Sequence, residues 1–299
     1  MIYTVTFNPA LDYILRVGQL CPGKLHRAES DVFAVGGKGI NVSRVLKNLG
    51  VHSVATGFIA GEVGDVICRM LDGQGVAHDF IRVGGQSRVN VKIKGREETE
   101  INGRGPDIPP AALAALAQKL AAAPAGSILV LAGSVPASLP KTAYEQLLTA
   151  IGRKDLRIVA DAAGALLLGA LPFRPWLIKP NRDELDETFG LHMRSVDEAL
   201  AYAQKLRAMG ARNVIVSMGG GGALMAAESG TYYQSVFQGE VVDTVGAGDS
   251  LVAGFIAAKE AGEGDREALR YAVAAGCASS FREGLAEQAD IRALLSRGR

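Results

Sequence analysis

From residue 109 onward, apolar runs of strand length alternate with patterns of helical period. Helices are expected over 110–123, 141–151 and 196–209, and strands over 128–131, 157–160, 177–179 and 213–217. Helical patterns return at 250–261, 266–280 and 291–296. Strand–helix alternation of this kind builds a parallel sheet with helices on both faces. The first third departs from it. A strand at 2–7 is followed by two β pieces, 13–17 and 30–35, around a polar loop and with no helix between them. A helix at 40–49, a strand at 54–59, a helix at 63–71 and a strand at 80–83 come next. Residues 88–94 then alternate apolar and polar without a break, as a half-exposed strand does, and 98–101 return after a turn at Gly95-Arg96. The four β pieces that break the alternation fit a small added sheet. The pattern therefore predicts one α/β domain over 1–299, with a β lid built from residues 12–35 and 87–103.

Charge and composition narrow the chemistry. Lysine plus arginine count 32 against 31 for aspartate plus glutamate, a net charge of +1. Nothing in that balance drives binding to nucleic acid or to an anionic membrane. Three cysteines, Cys21, Cys68 and Cys277, lie far apart with no CxxC pair. An odd count and no basic, apolar leader predict a cytoplasmic chain with reduced thiols, each a small buried apolar residue. The four histidines show no ligand spacing, so zinc is not expected.

The glycine-rich stretches carry the candidate chemistry. The chain is organised around Val242-Asp243-Thr244-Val245-Gly246-Ala247-Gly248-Asp249-Ser250. A β-type run at 240–242 leads into the glycine turn, and a helix begins behind it. The free N–H groups and dipole of a helix start make an anion site. Asp249 within that first turn is a candidate general base, or else an ordinary N-terminal acid. Gly36-Gly37-Lys38-Gly39 opens a second helix and is no Walker A loop, because Gly39 follows the lysine. A polar or anionic ligand near Lys38 and Asn41 is the functional reading. Asp12, placed past the end of the first strand, is a candidate for a sugar hydroxyl. Asn181 and Glu184 stand three apart at a helix start. They fit a capping box, and they also suit Mg²⁺. Ser217-Met218-Gly219-Gly220-Gly221-Gly222 permits close approach of a flat or phosphorylated ligand, or forms a loose hairpin turn. The small residues at 272–280 suit close helix packing, with an adenine wall as the lesser reading.

Taken together, these stretches resemble the ribokinase-like carbohydrate kinases, the PfkB family. The resemblance rests on Gly36-Gly37-Lys38-Gly39-Ile40-Asn41-Val42, on Asp243 through Ser250, and on Lys179-Pro180-Asn181-Arg182-Asp183-Glu184-Leu185 and Ser217-Met218-Gly219, in family order. It implies a three-layer α/β/α fold with a mostly parallel central sheet and a β lid. It implies Asp249 as the catalytic base and an anion hole from the amides of Gly246, Ala247 and Gly248. ATP would lie along Lys179, Asn181, Ser217, Gly219, Gly222 and Gly248, with Mg²⁺ linked to Asn181 and Glu184 and K⁺ a candidate activator.

Thr6 through Asp12, Ser87 through Lys92 and Glu98 through Gly103 are similar to the phosphosugar branch, the 1-phosphofructokinases and tagatose-6-phosphate kinases. That similarity implies that Asp12 and Asn41 hold sugar hydroxyls, with Gly37 and Asn90 beside them. It implies that Lys38, Arg88 and Ser134 hold the substrate phosphate. It also implies a homodimer through the lid, with Lys24 reaching the neighbouring site. The expected reaction is ATP-dependent phosphorylation of D-fructose 1-phosphate. Alternatives are tagatose 6-phosphate, then fructose 6-phosphate, and a silent sugar-phosphate sensor.

Overall fold

The computed structural model describes residues 1–193 and 195–297. The chain opens with β1 (Ile2–Thr6), β2 (Ala10–Arg16) and β3 (Ser30–Gly36), then α1 (Lys38–Asn48), β4 (Val54–Ala60) and α2 (Gly61–Gly73). Three strands follow, β5 (Ile81–Val83), β6 (Arg88–Lys94) and β7 (Glu98–Asn102). Alternation then sets in with α3 (Pro110–Ala121), β8 (Ile128–Ala132), α4 (Ala143–Ile151), β9 (Arg157–Asp161), α5 (Gly164–Ala170) and β10 (Leu177–Ile178). It continues through α6 (Arg182–Phe189), α7 (Val196–Ala208), β11 (Asn213–Ser217), β12 (Ala223–Ala227) and β13 (Gly230–Gln234). Three helices close the chain, α8 (Ala247–Glu260), α9 (Asp265–Ser280) and α10 (Gln288–Arg297).

Nine strands form one sheet in the order β13-β12-β11-β10-β9-β8-β1-β4-β5. All neighbours from β11 to β5 run parallel, and β12 and β13 are antiparallel. Side chains alternate between two cores, as a pleated strand requires. Val5, Leu129, Leu131, Val214 and Val216 join the layer under α3, α4 and α7. Ile2, Ile128, Val130, Ala132 and Ile215 join the layer under α1, α8 and α9. Each fully buried aliphatic side chain contributes about 1.5–3 kcal/mol over an exposed one. A rigid, doubly covered sheet follows, and its carboxyl edge presents the polar residues.

The second sheet has four strands in the order β3-β2-β6-β7. Pro9, which has no N–H to give a ladder, separates β1 from β2, and the chain changes sheets there. Asp12 is thus within β2, opposite Asn90 of β6, and not in a loop past β1 as its position suggested. One face of the small sheet carries Asp12, Asn90, Lys92 and Lys94. The other carries Tyr13, Phe33, Val91 and Ile101.

Three further expectations change. Residues 240–242 form no strand. Val241 and Val242 are 61% and 53% exposed, and the N–H groups of Val242 and Asp243 donate to the Ser280 carbonyl at the end of α9. Helix α5 was not anticipated, because Gly164–Ala170 is apolar throughout and shows no helical stripe. Cys21 and Cys68 are only half-buried, whereas Cys277 is buried. Among the described residues, no helix is long and apolar enough to cross a membrane.

Candidate active site

A cleft of about 1480 Å³ runs along the carboxyl edge of the main sheet and under the small one. Strand ends supply its floor in spatial order: Asn8 after β1, Gly133 after β8, Asp161 ending β9, Lys179 after β10 and Ser217 ending β11. Chain order and strand order part company at β1, which sits between β4 and β8. Such switch points are where open α/β sheets bind ligands.

The helix starts of α1 and α8 meet over this floor. Gly246 is the N-cap of α8 at φ 78°, a conformation that glycine adopts without strain. Ala247, Gly248 and Asp249 fill the first turn, where the Ala247 N–H donates to the Thr244 carbonyl and the Gly248 and Asp249 N–H groups have no intrahelical acceptor. Asp249 is 5% exposed, and Asn41 Nδ2 of α1 donates to its Oδ2 at 2.8 Å. Burial and the nearby Asp161 charge push the Asp249 carboxyl up to about 6, against the opposing pull of Asn41, Lys38 and Lys179. A carboxylate poised there accepts a proton readily near neutral pH.

Lys38 is the first residue of α1, behind the N-cap Gly37. Its ammonium lies 3.5 Å from Glu184 Oε1 and 3.7 Å from Asp161 Oδ1. Burial disfavours its charge, but Asp161, Glu184 and Asp249 outweigh that and hold its pKa above the ordinary range. Lys179, 3% exposed, lies 3.1 Å from the same Asp161 oxygen. Neither Asp161 oxygen accepts a well-directed hydrogen bond from the described residues, so two ammonium groups compensate this buried carboxylate. Sequence reading treated Asp161 only as a strand end. Nothing local distinguishes it, and its importance comes from the two lysines that converge on it.

The small sheet roofs the other end. Asp12 is held from both sides, by Asn90 Nδ2 at 2.8 Å and by the Lys92 ammonium at 3.5 Å. Asn90 Oδ1 also accepts the Gly103 N–H, so Asn90 stands behind Asp12 and does not line the cleft. Arg88 Nε donates to the Asn8 carbonyl at 3.1 Å, and its guanidinium enters the cleft near Asp12. Ser134 lines the edge beside Gly133. Lys38 and Arg88 were expected to share one phosphate, but the Lys38 ammonium is turned to Asp161 and Glu184 instead. Lys92 and Lys94 also face the cleft, and strand alternation alone had read them only as a half-exposed row.

At the far end, Asn181 and Glu184 form a complete capping box. Asn181 Oδ1 accepts the Glu184 N–H at 2.7 Å, and Glu184 Oε2 accepts the Asn181 N–H at 2.8 Å. Asn181 Oδ1 is thereby engaged, while Glu184 Oε1 still faces the cleft toward Lys38. Among the described residues no three acidic, histidine or cysteine side chains cluster as a metal cage. Glu184 Oε1, which faces the cleft, fits instead a hydrated Mg²⁺ that keeps its waters and rests on phosphate. The glycine run is not loose. Gly219–Gly221 form a 3₁₀ turn, and at Gly222 an added Cβ would lie 2.1 Å from the Gln234 carbonyl. Gly219 and Gly222 line the cleft with Ser217. So do Val236, Phe237 and Val241 from one side and Val273, Gly276 and Cys277 of α9 from the other. Helix α9 therefore packs on α8, as its small residues suggest, and also lines the cleft.

A model of the pfkB family carbohydrate kinases matches residues 5–292. The chain is 44% identical over 295 residues to 1-phosphofructokinase of Bacillus subtilis, covering 99% of this chain and 97% of that one. It is 35% identical over 288 residues to D-tagatose-1-phosphate kinase of Bacillus licheniformis, covering 96% and 95%. The structure of phosphofructokinase-2 from Escherichia coli in complex with potassium superposes with a TM-score of 0.93 at 27% identity, covering 99% and 98%. A lysine-clamped carboxylate, a second buried carboxylate at a glycine-rich helix start and a two-sheet cleft all accompany that match. The chain belongs to the pfkB family of carbohydrate kinases.

Proposed function

We propose that the protein transfers the γ-phosphoryl group of ATP to C6 of D-fructose 1-phosphate, giving fructose 1,6-bisphosphate and ADP. The observation that carries this reading is Asp249, buried in the first turn of α8 behind the Gly246 N-cap and held by Asn41. Asp249 takes the proton of the attacking hydroxyl as its oxygen bonds to phosphorus and the bond to ADP breaks. The amides of Gly246, Ala247 and Gly248 stabilise charge on the transferring group, the dominant contribution in such sites. Lys38, beside Asp161 and Glu184, suits that same group better than the sugar phosphate. Arg88 and Ser134 then take the sugar phosphate, arginine gripping it bidentately. Asp12 and Asn41 hold hydroxyls, with Gly37 and Asn90 in support. Lys179, Asn181, Ser217, Gly219 and Gly222 line the ATP end. Glu184 would hold hydrated Mg²⁺, which supplies charge neutralisation on the phosphates. K⁺ is an activator on this reading, in line with the potassium complex of the Escherichia coli relative. The reading assigns the enzyme to the cytoplasm, where ATP and reduced thiols coexist.

The Bacillus relatives are named for sugars phosphorylated at C1, which supports fructose 1-phosphate and makes tagatose 1-phosphate the rival. An ADP-release assay with ATP and Mg²⁺, comparing fructose 1-phosphate, tagatose 1-phosphate, tagatose 6-phosphate, fructose 6-phosphate and fructose by kcat/KM, separates these. A lead for fructose 1-phosphate is expected. A lead for any other sugar overturns the substrate, and silence on all of them favours a sensor.

The four-stranded sheet is, on this reading, a lid and the interface of a homodimer. Phe33 and Ile101 on its outer face are 49% and 60% exposed, a suitable surface for a second copy. Lys24, on the exposed loop between β2 and β3, would reach the partner's cleft. Light scattering should give twice the chain mass, falling to one chain in Phe33→Glu. A monomeric unaltered protein removes the dimer.

A further inference from the structure

Lys94 ends β6 on the inner face of the small sheet. Its ammonium lies 2.6 Å from Asp243 Oδ2, in the segment that leads into the Gly246–Gly248 turn. The other Asp243 oxygen accepts the Val245 N–H at 3.0 Å, one residue before Gly246. Both partners are about three-quarters buried, Lys94 at 23% and Asp243 at 25% exposed. Burial pushes the Asp243 carboxyl up, but Lys94 and the Val245 N–H outweigh it and hold it below the usual range.

Little else fixes this segment. It belongs to no strand, and Val241, Val242 and Val245 are largely exposed. Its other backbone ties among the described residues are the Val242 and Asp243 N–H groups on the Ser280 carbonyl and the Thr244 carbonyl on the Ala247 N–H. Backbone held by so few buried contacts opens locally at low cost. Lys94 also has a second partner within its own hairpin, Glu98 Oε1 at 3.9 Å. One ammonium thus stands between a carboxylate on the small sheet and a carboxylate on the main body. That is a two-position contact of the kind that switches with a moving element.

We propose that Lys94 is a positioning residue that couples the seating of the small sheet to the assembly of the anion-binding turn. It acts through Asp243 and the Val245 amide and touches neither phosphoryl group. With the sheet seated over bound sugar phosphate, Lys94 holds Asp243, and the amides around Gly246 face the cleft. With the sheet raised, Lys94 returns to Glu98 and the turn loosens. The catalytic turn is then complete only when acceptor is present, which restrains ATP hydrolysis by water. The inference rests on the kinase reading above for its catalytic consequence, and its structural part stands without it.

The test is a double-mutant cycle on the full chain, Lys94→Met, Asp243→Asn and both, with Lys94→Arg as the conservative variant. Each single change should lower kcat for the phosphosugar about tenfold, which corresponds to about 1.4 kcal/mol. KM for ATP should stay within twofold, the double variant should be no worse than the poorer single one, and Lys94→Arg should recover most of the loss. Amide hydrogen exchange of residues 244–249 with phosphosugar bound should quicken about tenfold in Lys94→Met relative to the unaltered protein, with the thermal midpoint unchanged. Arg16→Ala is the control. Arg16 also bridges the small sheet to the body, at 2.5 Å from Glu283, but both ends are half-exposed or more, so little should change. Additive losses, unchanged exchange at 244–249, or an equal effect from Arg16→Ala would each overturn the proposal. An unaltered protein with no phosphosugar turnover would instead remove the kinase reading, and the exchange measurement alone would then decide the coupling.

Discussion

The starts of α1 and α8 are built alike and charged oppositely. Both open on a glycine N-cap, Gly37 and Gly246, and both point their first turn into the cleft. Helix α1 puts an ammonium there, against its own dipole. The cost is offset by Asp161 and Glu184, which together keep Lys38 charged. Helix α8 puts a carboxylate there, in accord with its dipole, yet burial and Asp161 raise that carboxyl to about 6. Asn41, one turn into α1, bonds the Asp249 carboxylate and ties the two starts together. A local motif therefore sets which atoms face the cleft, and distant neighbours set what those atoms do. Asp161 is the shared neighbour: it holds the Lys38 cation in place and raises the Asp249 carboxyl.

The sharpest way to break the comparison is to remove the proposed base. Asp249→Asn keeps the shape and the first-turn position, so folding should be preserved while kcat falls about 10³-fold. Binding of ATP, read by calorimetry, should persist within a few-fold. A kcat within tenfold of the unaltered enzyme would show that α8 offers only its amides. Lys38→Met comes next, with kcat lower by about 10²-fold, the scale of losing one charge donor to a transition state. If Lys38 gripped the sugar phosphate instead, the loss would fall mainly on KM for the sugar.

These two residues also show how far the sequence could be read. Gly246, Gly248 and Asp249 stand out as letters, because a glycine turn with an acid behind it is a local pattern. The parallel sheet and the small sheet were likewise legible from apolar spacing, apart from α5, whose Gly164–Ala170 run has no polar face. Lys38 was legible as a lysine at a helix start, but its direction was not, since Asp161 and Glu184 approach from β9 and α6. Asp161, Lys92 and Asp243 were passed over for the same reason. Each looks ordinary among its chain neighbours, and its significance appears only when strands far apart in sequence bring an opposite charge beside it. The expected strand at 240–242 failed differently. Its valines have strand character, but the Val242 and Asp243 N–H groups bond the end of α9 instead of a strand.

Asn41→Ala has the smallest expected effect and tests the link between the two helix starts. The Asn41 amide donates to the ionised form of Asp249 and so opposes the upward push of burial and Asp161. Asp249 must be ionised to accept a proton, so kcat/KM should be full above a pH of about 6 and be lost as pH falls through it. Removing the donor leaves the upward push less opposed, and the acid limb should move to higher pH. At pH 8 the variant should then lose only a few-fold, whereas at pH 6 the loss should be several times larger. A role for Asn41 in binding a sugar hydroxyl alone would lower kcat/KM by one factor at every pH and leave the limb where it was. A limb that stays in place would therefore separate α1 from the base. A limb that moves up would establish that the helix carrying the cation also sets the proton affinity of the helix carrying the carboxylate.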